Sequence, residues 1–254
     1  MERQLTSLVE LLGAEVEARG DLGGLVARWP GRGPAFNHLG AVRWPSDGWE
    51  TRLDRTAAAF LERHEPPAIV VAEGLTQPPD LGARLVERGW ISLVRETVFW
   101  TRRAAVVPHL DPRLRIEAVT DRSAAEYELV ERRIFGLSDA EAAERVKALE
   151  ATIAAGRQRA YMLRLAGDAV ATARLAVSEE GLGALHGIGV VRDRRRQGYG
   201  TMLTTVATRA GLATGQGLVW LSVAAGNEPA RRPYEGLDYR PAYDWQLIMR
   251  PDRA

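Results

Sequence analysis

The feature that most constrains this chain is a pattern that occurs twice. The segments LVERGWISLVRETVFW (85–100) and YEGLDYRPAYDWQLIM (234–249) each run from a helix end through an aromatic into a long alternating strand. Alternating and helical apolar periods cannot substitute for one another, and recurrence of one order of elements marks an internal duplication. The repeat predicts two α+β units.

The second half shows the order most clearly. LRIEAV (114–119) alternates as a strand, and DRSAAEYELVERRIF (121–135) has a helical period with Asp121 or Ser123 placed to cap it. A second helix is expected from Ser138, with Glu141 completing a capping box, to Gly156. RAYMLRLA and AVATARLAV form a hairpin about Gly167 and Asp168. A strand (GALHGIGVV), a helix ending at Gly215, a buried strand (GLVWLSVAA), a short helix near 228–236 and a closing strand (YDWQLIMR) follow. The first hundred residues run through a shorter version: two strands (GLVARW, FNHLGAVRW), a helix (WETRLDRTAAAFLERH), a buried strand, a helix and a long strand. Pro108 and Pro112 mark the joint. The expected domains are 1–105 and 112–254. The leading MERQLTSLVELLGAEVEARG carries acids through its apolar stretch. It is expected to be an amphipathic helix with Leu5, Leu8, Val9 and Leu12 on one face, rather than a secretory leader.

Composition removes several functions. There is no cysteine, hence no thiol nucleophile, disulfide or cysteine-based zinc site. The four histidines (His38, His64, His109, His186) are scattered without metal-ligand spacing, so no metal is expected. A net charge of +1 supplies no global field for nucleic acid or acidic membranes, and apolar runs such as AIVV are too short to span a bilayer. The expectation is a cytoplasmic protein with neither nucleic-acid nor membrane partners. Lys147 is the one lysine among many arginines, so arginine abundance alone carries no functional meaning.

One arginine run has a specific context. RRRQGYG (194–200) lies between a strand ending near Val191 and a helix starting near Gly198. A helix N-terminus offers unpaired N–H groups and the positive end of the dipole, and glycines there let a ligand approach. The alternatives are a solvated basic turn and a cradle for phosphate or pyrophosphate. The segment is not a P-loop, having no G-x-x-x-x-G-K-[ST]. Nor is it a dinucleotide fingerprint, because Leu203 stands where the third glycine belongs. It does match R/Q-x-x-G-x-G/A, and Ile188, Val190, Arg195, Gly198 and Gly200 keep the register of I-x-V-x-P-x-x-R-x-x-G-x-G. Further on come Leu221 and Val223, then Asn227, Ala230 and Tyr234 in the spacing N-x-x-A-x-x-x-Y, then the aromatic Tyr239. In these motifs the second half resembles the GCN5-related N-acetyltransferase (GNAT) family. Arg192 replaces the family's proline, Pro233 the leucine before the tyrosine, and Asp238 the glycine before the aromatic.

The resemblance implies an α+β fold of two acetyltransferase-like units, each a mixed, mostly antiparallel sheet flanked by helices. It implies acetyl-CoA as co-substrate and direct acetyl transfer to an amine of a small molecule or peptide. The backbone of Arg196, Gln197, Gly198, Tyr199, Gly200 and Thr201 would hold the pyrophosphate, and Arg195 would brace the turn or meet phosphate. The strand about Ile188 would splay from its neighbour, freeing the Val190 N–H for the thioester carbonyl. Asn227 would bond the pantetheine arm or simply cap its helix. Tyr234 would protonate the departing thiolate, or serve as a core aromatic. Many family members place a glutamate where Ala184 stands. His186, two residues on and on the same strand face, is the candidate base; a buried satisfied histidine and a water relay are the alternatives.

The first half has Gly48 in PSDGWE but no R-x-x-G-x-G, so it is expected to be a degenerate acetyltransferase-like unit. Five of the seven tryptophans (Trp29, Trp44, Trp49, Trp90, Trp100) lie there, as core or interface or as the wall of an acceptor pocket. A CoA-binding protein without catalysis is the rival reading, since the usual glutamate is missing.

Overall fold

The computed structural model describes residues 8–10, 14–106, 111–178, 181–215 and 217–251. They form two compact units that are not contiguous in sequence: 1–98 with 223–226 and 242–254, and 99–222 with 227–241. The chain's last strand therefore leaves one unit for the other, across the contiguous division expected from the proline-marked joint.

In the first unit, β1 (Glu15–Arg19), β2 (Gly24–Arg28) and β3 (His38–Gly40) pair antiparallel in sequence order. β3 then meets β4 (Ala68–Ala72) in parallel through Leu39 and Ile69. Trp245 to Met249 of β11 (Arg240–Met249) run antiparallel to Ala72 to Ala68 of β4. The helices are α1 (Trp49–Leu61) and α2 (Leu81–Glu87), and β5 (Ile91–Thr101) follows. Every residue of β4 is buried, which is why AIVVA shows no alternation in sequence. Trp44, Trp49 and Trp90 are buried in one cluster with Leu39, Phe60 and Ile69. The Trp44 indole N–H donates to the Leu22 carbonyl at 2.6 Å, so burial leaves no orphan donor. These tryptophans are core.

One expectation for this unit fails. Residues 8–10 are helical, but Glu15–Arg19 is a strand in a hairpin with β2; Leu5 and Leu12 lie outside the described residues. EVEAR alternates with period two as well as it fits a helix, and the turn at residues 20–23, with Gly23 at φ 67°, lets it fold back on β2.

The second unit contains β6 (Leu114–Ala118), β7 (Gln158–Leu165), β8 (Asp168–Val177), β9 (Gly183–Val190) and β10 (Val219–Ala224), adjacent in that order. The pairs are antiparallel except β9 with β10, which is parallel. α3 (Asp121–Phe135) and α4 (Ala142–Ala154) come between β6 and β7, α5 (Tyr199–Leu212) after β9, and α6 (Glu228–Gly236) after β10. At the start of α3 the Thr120 N–H donates to Ser123 Oγ at 3.0 Å, and Gly136 in the left-handed region (φ 69°) ends the helix. α4 starts at Ala142 rather than beside Ser138. Two arginines recruit the intervening segment instead: Arg145 donates to the Ser138 carbonyl at 2.6 Å, and Arg132 pairs with Asp139.

Candidate functional site

The site grows from an interrupted strand pairing. β10 is in register with β9 only from Gly183 to Leu185, so the rest of β9 has β8 alone as a neighbour. On that side a bulge sets Gly187 and Ile188 against Ala173, between the pairs Arg174–His186 and Thr172–Gly189. Gly187 has φ 60°, the left-handed conformation such a bulge requires. Beyond it, Val191 N–H donates to the Val170 carbonyl at 2.9 Å. Antiparallel alternation then turns the N–H and C=O of Val190 away from β8, toward the unpaired edge. The Val190 carbonyl accepts Arg195 Nε at 3.1 Å. Its N–H faces a cavity of about 480 Å³ that Val190 lines.

The second wall is the turn into α5. After the 3-10 turn Arg192–Arg194, Arg195 is extended and both Arg196 (φ 62°) and Gly198 (φ 81°) are left-handed. A non-glycine residue held there is strained, and alternating hands of this kind aim successive N–H groups into one concavity. The first bond within the helix is Met202 N–H to the Gly198 carbonyl at 2.9 Å, so the amides of Tyr199, Gly200 and Thr201 have no intrahelical acceptor. A Cβ on Gly198 would meet nothing within 4 Å, as expected of a residue facing open space. Arg195, Arg196, Gly198, Tyr199, Gly200 and Thr201 all line the cavity, with Ile188 across from them. Gln197 does not; its Oε1 accepts the Tyr199 hydroxyl at 2.9 Å.

The third wall is α6. Asn227 is its N-cap residue but makes no side-chain cap bond, and the amide lines the cavity. Tyr234 also lines it, although Pro233 interrupts the helix's hydrogen bonding. Burial raises the Tyr234 pKa to about 12. The ring stands edge-on to Tyr239 at 6.0 Å, and the Tyr239 hydroxyl pairs with Thr208 Oγ1 at 2.7 Å. This network props the Tyr234 ring while leaving its hydroxyl without a protein partner among the described residues.

His186 is placed differently. It is opposite Arg174 and not among the lining residues. Its Nε2 is enclosed without a hydrogen-bond partner, and burial, with the Arg174 charge, pushes its pKa down to about 3. Such an imidazole is neutral and a weak base. The sequence reading missed the fourth wall, Ile134 and Phe135 at the end of α3. A Cβ on Gly189 would lie 2.3 Å from Ile134 Cγ2 and 2.9 Å from the Phe135 ring, so glycine there lets α3 close onto β9. The alternation GIG on an otherwise apolar strand was the available signal.

The first unit repeats this plan and closes it. Gly48, left-handed at φ 78°, precedes α1 as Gly198 precedes α5. Two residues on stands Glu50 in place of a glycine. The wedge between β3 and β4 is bridged by backbone: Gln77 N–H donates to the Val42 carbonyl at 3.1 Å, and Trp44 N–H donates to the Gln77 carbonyl at 3.0 Å. Anion cradle and strand gap are both lost.

A splayed parallel strand pair feeding a glycine-capped helix marks the second of the two α+β units. Residues 124–239 match the acetyltransferase (GNAT) family, so this segment is a GNAT domain. Among solved structures, a GCN5-related N-acetyltransferase from Kribbella flavida aligns with TM-score 0.73 at 20% identity, over 99% of this chain and 96% of its own. A tandem GNAT protein from the clavulanic acid biosynthesis pathway aligns with TM-score 0.64 at 15% identity, over 99% and 97%. A GCN5-related N-acetyltransferase from Sphaerobacter thermophilus aligns with TM-score 0.65 at 17% identity, over 95% and 76%. No curated protein sequence matches the chain. GNAT proteins are acyltransferases that generally use acetyl-CoA and act on small-molecule or peptide acceptors. No described helix is long and apolar enough to cross a membrane.

Proposed function

We propose that this chain transfers an acetyl group from acetyl-CoA directly to an amine of a small molecule or peptide, in the cytoplasm, using the second unit alone. The observation that carries the reading is that Val190, on the edge of β9 that β10 leaves unpaired, the first residues of α5 and Tyr234 line one cavity. The chain's groups divide the work. The amides of Arg196, Gly198, Tyr199, Gly200 and Thr201 and the dipole of α5 hold the pyrophosphate, and Asn227 bonds the pantetheine arm. Arg195, tied to the Val190 carbonyl, braces the turn. The Val190 N–H stabilises the negative charge that develops on the thioester oxygen. Tyr234, protonated throughout the neutral range, donates its proton to the departing thiolate.

Among the described residues, the cavity lining includes no carboxylate or imidazole. The acceptor accordingly attacks as a free amine, its proton passing to water. Calorimetric titration with acetyl-CoA, followed by release of CoA thiol in the presence of a panel of amines, tests the reading. Saturable binding at one site per chain with amine-dependent thiol release is expected. Absence of binding overturns the assignment; binding without turnover for any amine leaves a CoA-binding protein that lacks the chemistry.

A further inference from the structure

Beneath β9 lies a buried polar cluster that takes no part in lining the cavity. Glu131 of α3 is paired with Arg174 of β8, their side chains 6% and 15% exposed. Arg174 Nε donates to Glu131 Oε1 at 3.1 Å, and Nη2 donates to Oε2. The fully buried Tyr127 hydroxyl donates to Glu131 Oε1 at 3.0 Å. The cluster abuts the bulge. Arg174 is the β8 residue opposite His186, and a Cβ on Gly187 would come within 2.9 Å of Glu131 Oε1. The carboxylate thus occupies the space that a side chain at the bulge would take. Thr172 Oγ1 fixes the bulge from the β8 side, donating to the Gly187 carbonyl at 3.2 Å. One turn along α3, Ile134 and Phe135 cover Gly189. Helix and strand are therefore locked at two points, and Val190 follows directly.

We propose that Glu131, Arg174 and Tyr127 are positioning residues that, through the Gly187 bulge, set the direction of the Val190 N–H. The proposal rests on the acyl-transfer reading. A buried carboxylate and guanidinium can often be replaced together by apolar groups without loss of the fold, whereas removing one strands the other's charge. The informative variant is consequently Tyr127→Phe/Glu131→Leu/Arg174→Met. It removes the polar lock and leaves every cavity-lining residue in place. Gly187→Ala perturbs the bulge from the opposite side with the charges intact.

The measurement is the dissociation constant of acetyl-CoA and of CoA for each protein, with thermal melts to confirm folding. One hydrogen bond to the thioester carbonyl gives the unsubstituted protein about a fivefold preference for acetyl-CoA. In both variants that preference falls to about one while CoA affinity stays within about twofold, because only the carbonyl donor has moved. Turnover falls about a hundredfold with little change in KM for acetyl-CoA, the signature of a displaced oxyanion donor. Arg174→Lys, which keeps the charge pair, restores part of both. A folded variant that keeps the preference and the turnover overturns the proposal, as does one that loses CoA and acetyl-CoA affinity in equal measure. If the triple variant does not fold, Gly187→Ala decides alone. Failure of the unsubstituted protein to bind either ligand overturns the acyl-transfer reading itself and this proposal with it.

Discussion

Substituting Gly200 by glutamate would give the second unit the residue that the first unit carries at the matching place, Glu50 two residues after its left-handed glycine. The backbone tolerates the change: Gly200 is helical, and a Cβ would make only ordinary contact with Val190 Cγ2 at 3.5 Å. An acidic residue in a helix's first turn also favours the helix, by about 0.3–1 kcal/mol. Stability therefore holds while the cradle fills with negative charge. Two unit charges about 4 Å apart repel by about 1 kcal/mol in water and about 4 kcal/mol at a protein-surface dielectric. For a doubly charged pyrophosphate the low end is about 2 kcal/mol, or about thirtyfold in Kd. Titration with acetyl-CoA should show at least that loss, at an unchanged or slightly raised melting temperature. Gly200→Gln, of equal size and no charge, should retain most of the affinity. Raising the salt concentration should narrow the gap between the two variants, because the charges become screened. Equal affinity of Gly200→Glu and unsubstituted protein for acetyl-CoA would refute the placement of the pyrophosphate on this turn. Equal loss in both variants would refute the charge argument.

Tyr234→Phe should lower kcat by about a hundredfold, within the range for removal of a general acid, and leave acetyl-CoA affinity unchanged; full activity in a steady-state assay would remove its role. The rate should rise with pH along the titration of the acceptor amine, with no Tyr234-dependent decline below pH 10, because its pKa is raised to about 12. His186→Gln should leave that profile unaltered, since His186 is outside the cavity and its pKa is lowered to about 3; a lost limb near pH 6.5 would restore it as the base. His38 is buried in the first unit with its pKa pushed down to about 4 by burial. Between about pH 6.5 and that value the unfolded chain binds a proton that the native chain does not. The stability present above pH 6.5 is lost on acidification, by about 3 kcal/mol in all. His38→Leu should flatten this part of the denaturation curve, and an unchanged slope would contradict the burial argument.

Where one local rule decides the structure, the sequence was legible. The left-handed Gly198, the free helix amides and the placement of Asn227 and Tyr234 follow from glycine chemistry and spacing within two elements, and the cavity gathers them. Where tertiary pairing decides, local patterns misled or fell silent. EVEAR satisfies both periods, and the choice of strand rests on β2 as a partner. Ser138 and Glu141 have the spacing of a capping box, yet Arg145 and Arg132 hold that segment as a loop. Two residues on one strand face are neighbours only while the strand stays regular. Ala184 and His186 keep one regular register, opposite Ala176 and Arg174, but both lie before the bulge at Gly187, and β9 lines the cavity only from Ile188 onward.

The two units show which features of the second unit's cavity the first unit keeps and which it does not. A left-handed glycine before a helix costs little and serves folding by itself, as a point where a strand-to-helix turn reverses. Gly48 and Gly198 both persist for that reason, and neither alone marks a ligand site. The strand gap is different, because a backbone N–H taken out of its ladder must find another partner in protein, water or ligand. In the first unit Gln77 fills that need from within, bonding Val42 and Trp44 across the wedge. In the second, β10 departs after Leu221; Arg195 bonds the Val190 carbonyl, and among the described residues no strand takes the place of β10. In the acyl-transfer proposal, the thioester carbonyl supplies the acceptor that this open edge lacks. Closure of that gap, more than loss of the glycine pair, is what distinguishes the first unit from the second.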